Sequence, residues 1–341
     1  MHSAAGTPRD RTEPDATPAT DAPTGSQPVS VDVVIVTRNT RELTLRCVES
    51  VVDGDARGDL ELSCTVVDNA SSDGTAEALE GRWEDVRVVR NEANAAFGAA
   101  CNQGLRKGAG MYVLVLNSDI VAGPGAIACL VGFLASSPDH VAAGGRLVDP
   151  GTHRIQVGHN VRAFPNLLSQ TALLLGLERY WPNNPISRRS RGVGIDYERT
   201  QDVDQPAGAC LACRRSEFEA VGGFDERFYY WYEDVDLIRR LHERGRIAYV
   251  HDAVFEHVKS ATFGQWPKSE AIVSWYSGVL RYFAKHRPRA EQLAIRMLVG
   301  VLAAMRMLVW AALDRERARA WRDVMRLALR QPREGSSAGR G

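Results

Sequence analysis

The sequence predicts an α/β protein with a mainly parallel central sheet, followed by a helical C-terminal extension. Three observations carry this reading. Short β-branched runs alternate with stretches of helical spacing from Val31 to Leu116, the βαβαβαβ series that builds a parallel sheet. Polar residues follow each apolar run where it ends. From residue 281 onward the chain turns apolar and basic, with 14 Lys/Arg against 5 Asp/Glu, although the 341 residues as a whole balance 42 against 42. At 44% hydrophobic and 25% charged, the composition is that of a folded chain and excludes disorder throughout.

Taken in order, residues 1–30 hold five Pro, five Thr and no aromatic residue. They are expected to form a disordered leader, because they bury too little to offset ordering entropy. Strands are expected at Val31–Val36, Leu62–Val67, Val86–Arg90 and Met111–Leu116, with helices starting near Arg41, Thr75 and Phe97. In such sheets ligands bind beyond the carboxyl ends of the strands. Four places are singled out: Thr37 to Asn39, Asp68-Asn69, the loop before Asn94, and Asn117-Ser118-Asp119. Asp68 closes the second strand, where a carboxylate can accept from the imide N–H of uracil or thymine. Asp73, before a helix, is explained by capping. Asp119 offers a carboxylate where a divalent cation can bridge a diphosphate, and a strand-terminal Asp is equally a turn former. No G-x-G-x-x-G follows the first strand and no P-loop is present, so dinucleotide and P-loop phosphate cradles are excluded.

The six cysteines are too sparse for a disulfide scaffold. Cys210 and Cys213 have zinc-like spacing with no second pair to complete four ligands, and read as a buried strand. The densest stretch follows: Val221-Gly-Gly-Phe-Asp-Glu, four aromatics from Tyr229 to Tyr232, then Glu233-Asp234-Val235-Asp236 at the start of a helix whose Leu237 and Leu241 share a face. Acids there complement the helix N-terminus, which accounts for one or two of them. Aromatic rings beside carboxylates suit a sugar, whose apolar face stacks while its hydroxyls are bonded. Core packing explains Phe224 and Phe228 better than Trp231.

Together, Asp68-Asn-x-Ser-x-Asp-Gly-Thr, the Asn-Ser-Asp after the fourth strand, Gly-Gly-Phe-Asp-Glu before Glu-Asp-Val-Asp-Leu, and a later His257-x-x-Ser260 resemble inverting glycosyltransferases of family 2, and more narrowly bacterial rhamnosyltransferases. The resemblance covers about residues 31–262. It implies a GT-A, Rossmann-like nucleotide-sugar-binding domain and a divalent metal, Mg²⁺ or Mn²⁺. It makes Asp234 the general base, Asp119 and His257 the metal contacts, and Trp231 and Glu233 acceptor-binding. Thr37, Asn39, Asp68, Asn94, Asn117 and Asp119 become donor-binding. The implied activity moves L-rhamnose from dTDP-L-rhamnose to a glycan or lipid-linked acceptor in cell-envelope synthesis. The alternatives are a UDP-sugar donor, or a nucleotide-sugar- or glycan-binding protein without turnover. Two positions depart from the family pattern: Asn117 replaces the first Asp of Asp-x-Asp, and Ala96 a common glycine.

The expected domains are a catalytic unit at 31–270, a basic amphipathic helical region at 271–332 and a disordered tail at 333–341. The longest apolar stretch, Leu293 to Leu313, is interrupted by Arg296 and Arg306, which argues against a spanning helix. Arg315, Arg319, Arg322, Arg326 and Arg330 fall on one helical stripe opposite Trp321, Val324 and Ala328. That pattern suits either an anionic membrane surface or a solvated face packed on the catalytic unit. With no secretory signal and no nucleic-acid-binding motif, the expectation is a cytoplasmic protein peripherally associated with the inner face of the plasma membrane, with no nucleic-acid partner.

Overall fold

The computed structural model describes residues 29–56, 58–258 and 267–330. The expected leader, the end tail and Ser260 of the His257-x-x-Ser260 motif lie outside the described residues, apart from the last two positions of the leader.

The first half is the predicted alternation. β1 (Ser30–Thr37), α1 (Arg41–Val52), β2 (Glu61–Asp68), α2 (Thr75–Glu80), β3 (Arg87–Arg90), α3 (Phe97–Leu105) and β4 (Tyr112–Asn117) follow one another. β1 lies between β2 and β4, and β2 pairs β3, all parallel. Val33, Val34 and Ile35 are each at most 1% exposed, because helices cover both faces of the strand. Then come β5 (Ile120–Ala122), α4 (Ala126–Ser136), β6 (His140–Val148), β7 (Val161–Arg162), α5 (Leu167–Leu174), α6 (Leu177–Tyr180), α7 (Pro185–Ser190), β8 (Gln201–Asp202) and β9 (Gln205–Pro206). β10 (Cys210–Arg214), α8 (Arg215–Ala220), α9 (Glu233–His242) and β11 (Arg246–His257) complete the sheet region. The sheet runs β3-β2-β1-β4-β10-β6-β11-β5, with β8 beside β11. β10 is antiparallel to both neighbours, and β5 and β8 are antiparallel to β11. Cys210 and Cys213 are buried core residues of β10, as read from the sequence.

α10 (Lys268–His286), α11 (Arg289–Ala311) and α12 (Arg315–Leu329) form the C-terminal extension. The domain boundary expected at residue 270 falls within α10. Tyr276, Val279 and Phe283 of α10 share one apolar cluster with Phe228, Tyr232 and Val235 on one side and with Ile295, Val299, Trp321 and Val324 on the other. The same burial covers the side of α12 that lies opposite its arginine stripe. Trp321, Val324 and Ala328 are 7%, 0% and 5% exposed, packed inside the protein.

Candidate active site

The carboxyl ends of β1 and β4, the loop before α9 and the end of β11 surround a cleft of about 590 Å³. Asn117, Asp119, His257, Trp231, Glu233 and Asp234 all line it.

The Asp119–His257 pair is a product of strand register. β5 runs antiparallel to β11 with His257 opposite Ile120, and Val258 N–H donates to the Asp119 carbonyl at 3.0 Å. His257 Nε2 thereby comes within 3.6 Å of Asp119 Oδ1. A buried residue that the sequence did not single out sets the ring. Gln156, 1% exposed, donates its amide to the carbonyls of Val148 (3.3 Å) and His257 (2.8 Å) and to Asp149 Oδ1 (3.0 Å). Its oxygen is left to accept from His257 Nδ1 at 2.9 Å. In the neutral imidazole this assignment puts the proton on Nδ1 and the lone pair on Nε2, facing the carboxylate, the arrangement in which an imidazole ligates a metal. Burial pushes the Asp119 carboxyl up to about 6, so a cation beside it would restore the charged form. Among the described residues no three His, Cys, Asp or Glu side chains gather as a metal cluster. The pair therefore fits a cation held by two protein ligands, with diphosphate oxygens and water completing the shell, as is common for Mg²⁺.

The second acidic group is built from strain. Trp231 and Tyr232 both have left-handed backbones, φ 62° and 72°, a conformation that costs non-glycine residues about 1–3 kcal/mol each. α10 and α5 hold them there. Ser274 Oγ donates to the Tyr230 carbonyl at 3.1 Å, Tyr232 OH donates to Gln170 Oε1 at 2.8 Å, and Gly278 lies so close that a Cβ would meet the Trp231 carbonyl at 2.8 Å. α9 then starts at Glu233, with Glu233 and Asp234 in the positive end of its dipole. Glu233 is 8% exposed, and its Oε2 is buried without a hydrogen-bond partner among the described residues. Burial, aided by the Asp234 charge, pushes its carboxyl up to about 8. Burial raises Asp234 as well, opposed by Arg162 and by backbone N–H groups, of which Val235 N–H donates to Oδ1 at 2.8 Å. Both carboxyls are raised by burial, and the opposing Arg162 charge and backbone N–H groups favour the charged form at Asp234 rather than at Glu233.

A stability prediction arises here. The native state holds the Glu233 proton more tightly than the unfolded chain, whose value is about 4.3. Its contribution to stability is therefore full below that value and lost as pH rises through about 8. Glu233→Gln is expected to flatten the fall of Tm between pH 5 and 8 and to stabilise the protein at the alkaline end. The gain is of the order of a few kcal/mol, because the native state no longer has to ionise a buried carboxyl as pH rises. Thermal unfolding across pH checks it, and an unchanged slope contradicts it.

The other expected residues are placed as follows. Asp236 is fully buried and paired with Arg240 (2.7 Å), Lys285 (2.8 Å) and His286 (2.7 Å), which fastens α9 to α10 and leaves it no part in the cleft. Thr37 Oγ1 is buried in a hydroxyl network with Thr40 (3.0 Å) and Thr44 (2.6 Å). Asn39 braces the loop after β2, accepting from Ser72 N–H at 2.8 Å. Asp68, 5% exposed, accepts from Ser71 N–H at 3.1 Å. Asn69 pins Ala95 through both backbone groups, at 2.7 and 2.8 Å. Asn94, its carboxamide turned to satisfy its neighbours, accepts from Arg38 Nη1 at 2.6 Å. Arg38 and Arg162 also line the cleft, and Arg38 Nε is buried without a partner among the described residues. Neither arginine was a candidate from the sequence. Arg38 lies within a strand-end triplet that was, and Arg162 lies where no periodicity guides the reading.

Residues 32–194 match the family described as Glycosyl transferase family 2, and residues 191–259 match a second description, N-terminal domain of galactosyltransferase. An N-acetylglucosaminyl-diphospho-decaprenol L-rhamnosyltransferase of Mycobacterium tuberculosis is 33% identical over 224 residues, 61% of this chain and 70% of the relative. A pre-mycofactocin glycosyltransferase of the same organism is 30% identical over 268 residues, 78% of this chain and 50% of that protein. The crystal structure of GalNAc-T7 with UDP, GalNAc and Mn²⁺ superposes with a TM-score of 0.54 at 18% identity. It matches 76% of this chain, which spans about half (48%) of that longer one. The fold is GT-A, and the chain belongs to glycosyltransferase family 2.

Proposed function

We propose that the protein is an inverting, metal-dependent rhamnosyltransferase that moves L-rhamnose from dTDP-L-rhamnose to a lipid-linked glycan acceptor in cell-envelope synthesis. The observation that carries the reaction type is that the Asp119–His257 pair and the Glu233–Asp234 pair face one cleft. The sugar and the acceptor class rest on the mycobacterial relative's name.

Inversion needs a carboxylate on the face of the sugar opposite the leaving diphosphate. Asp234 takes the proton from the acceptor hydroxyl as that oxygen bonds to the anomeric carbon, and the electrons of the breaking C–O bond leave with the nucleoside diphosphate. Glu233, protonated, donates a hydrogen bond to the acceptor, and Trp231 offers a ring face for stacking. Asp119 and His257 would hold a divalent cation, Mg²⁺ or Mn²⁺, which when bound would supply Lewis-acid neutralisation of the diphosphate charge. Arg38 adds a fixed positive charge at the end of β1. Thr37 and Asn117 line the donor end of the cleft, and Asn39 and Asn94 brace the Ser72 loop and the Arg38 side chain beside it. A lipid-linked acceptor calls for an enzyme at a membrane surface, and the face proposed is the cytoplasmic one.

Donor hydrolysis and transfer with dTDP-L-rhamnose and UDP-sugars, with and without Mg²⁺ or Mn²⁺, test this reading, and NMR of the product anomer tests inversion. A preference for UDP-sugars or a retained anomer overturns the corresponding part. Asp68→Ala is expected to raise the donor KM far more than it lowers kcat. A hydrogen bond to the base edge is made equally in the ground and transition states. A pure kcat defect removes Asp68 from the nucleobase.

A further inference from the structure

The C-terminal helices carry an apolar surface that packing does not use. The inner side of α11 (Ile295, Val299, Ala303) is fully buried. Its outer side presents Leu293, Met297, Val301, Met305, Leu308 and Val309, each 59–71% exposed. Their spacing places them in one stripe, about 24 Å long at 1.5 Å per residue. The two arginines that interrupt this run in the sequence are engaged by neighbouring elements, Arg296 at the end of α12 and Arg306 against α10 and the end of α5. Arg296 donates to the Arg330 carbonyl, and Arg306 donates to Tyr276 OH and to the Leu174 carbonyl while covering the Trp321 ring. The outer face of α11 therefore carries no charge between Leu293 and Val309.

The surface continues to the active site. Leu173 and Leu175 flank the residue that Arg306 bonds and are 50% and 53% exposed, and Tyr180 and Trp181 follow at 80% and 55%. Leu173 and Glu178 are also part of the cleft wall. On α12, which packs along α11, Arg315, Arg319, Arg322 and Arg326 are exposed, with Asp323 the acid paired to the last two.

We propose that α11 and the α5–α6 rim form one face that binds an anionic lipid bilayer, with α11 lying in the interface and the cleft mouth turned to the lipid. The proposal rests on the lipid-linked acceptor proposed above, whose apolar part then stays in the bilayer while its head group reaches Glu233 and Asp234. Charge selects the occupant. A two-fold pairing of two copies through α11 would bring α12 arginines toward each other, whereas anionic headgroups attract them. Exposed Tyr and Trp at the rim suit the headgroup level. Crossing the bilayer would put Arg296 and Arg306 into hydrocarbon and unpack the inner face of α11, so the helix lies on the membrane. The α12 arginines supply attraction, and α11 supplies the buried area.

The test is flotation of the full chain with vesicles of equal parts phosphatidylglycerol and phosphatidylethanolamine. The wild type is expected to float and to retain part of its binding at high salt. Met297→Glu/Val301→Glu/Met305→Glu, all at exposed positions, should cut the bound fraction at least about tenfold with Tm unchanged, and Val301→Glu alone should weaken it measurably. The triple variant should keep donor hydrolysis and lose turnover of an acceptor embedded in the vesicles. Undiminished flotation of the triple variant overturns the proposal. So does a soluble wild-type dimer that the triple variant disperses, with no vesicle binding. A wild type that floats through this stripe but hydrolyses no nucleotide sugar upholds the face and overturns the transferase reading instead.

Discussion

Replacing Asp234 with Asn is expected to lower kcat by about 10²–10⁴, the usual contribution of a positioned general base, while donor binding and Tm stay near those of the wild type. The local geometry makes this a clean experiment. Asp234 Oδ1 accepts from Val235 N–H at 2.8 Å, a bond that the Asn oxygen reproduces. Gly208 lies where a Cβ would come within 2.5 Å of the Asp234 side chain, so this position is tightly enclosed and the isosteric amide is the substitution that fits. Of the three acids at the start of α9, Asp236 is excluded as the base by its pairing with Arg240, Lys285 and His286. Glu233 is disfavoured because burial and the neighbouring Asp234 charge raise its carboxyl, while Arg162 and backbone N–H groups favour the charged form at Asp234. Single-turnover kinetics with saturating donor measure the effect. Near wild-type turnover in Asp234→Asn, with a large loss in Glu233→Gln, moves the base to Glu233.

The first four strands were legible to within a residue or two, because β1, β2 and β4 are apolar, largely β-branched runs buried over most of their length, and β3, at the sheet edge, is a short Val-Val pair bounded by arginines. The acids at the start of α9 were legible as a group. Their division of labour was not, since it depends on α10 reaching Asp236 through Lys285 and His286, far along the chain. The Asp119–His257 contact came from a family resemblance, and its physical cause is the antiparallel β5–β11 register, which no local pattern announces. Gln156 and Arg162 lie in a stretch of short elements without periodicity, so nothing marked them. The packing of the C-terminal helices was hidden for a related reason. Periodicity put the α12 arginines on one side, but it could not tell that Trp321, Val324 and Ala328 pack against α10 and α11, or that Arg296 and Arg306 bond to neighbouring elements.

Asp119→Ala is expected to abolish turnover, and excess EDTA should do the same to the wild type. Asp119 is the carboxylate that faces His257 across 3.6 Å, and the position where family relatives carry a further acid is Asn117, which cannot replace its charge. With two protein ligands rather than three, affinity for the bare cation should be weak and should tighten when a nucleoside diphosphate supplies its oxygens. Mn²⁺ binding followed by electron paramagnetic resonance, with and without dTDP, reads this directly and independently of turnover. His257→Ala should weaken the ternary complex, and Gln156→Met should weaken it by about 10–100-fold, the usual cost of removing the partner that orients a ligating imidazole. Full activity of the wild type in excess EDTA contradicts metal dependence. Mn²⁺ affinity unchanged in both Asp119→Ala and His257→Ala places the cation elsewhere. A loss in His257→Ala with none in Gln156→Met keeps the site and removes Gln156 from it, because the imidazole would then hold its orientation without the amide.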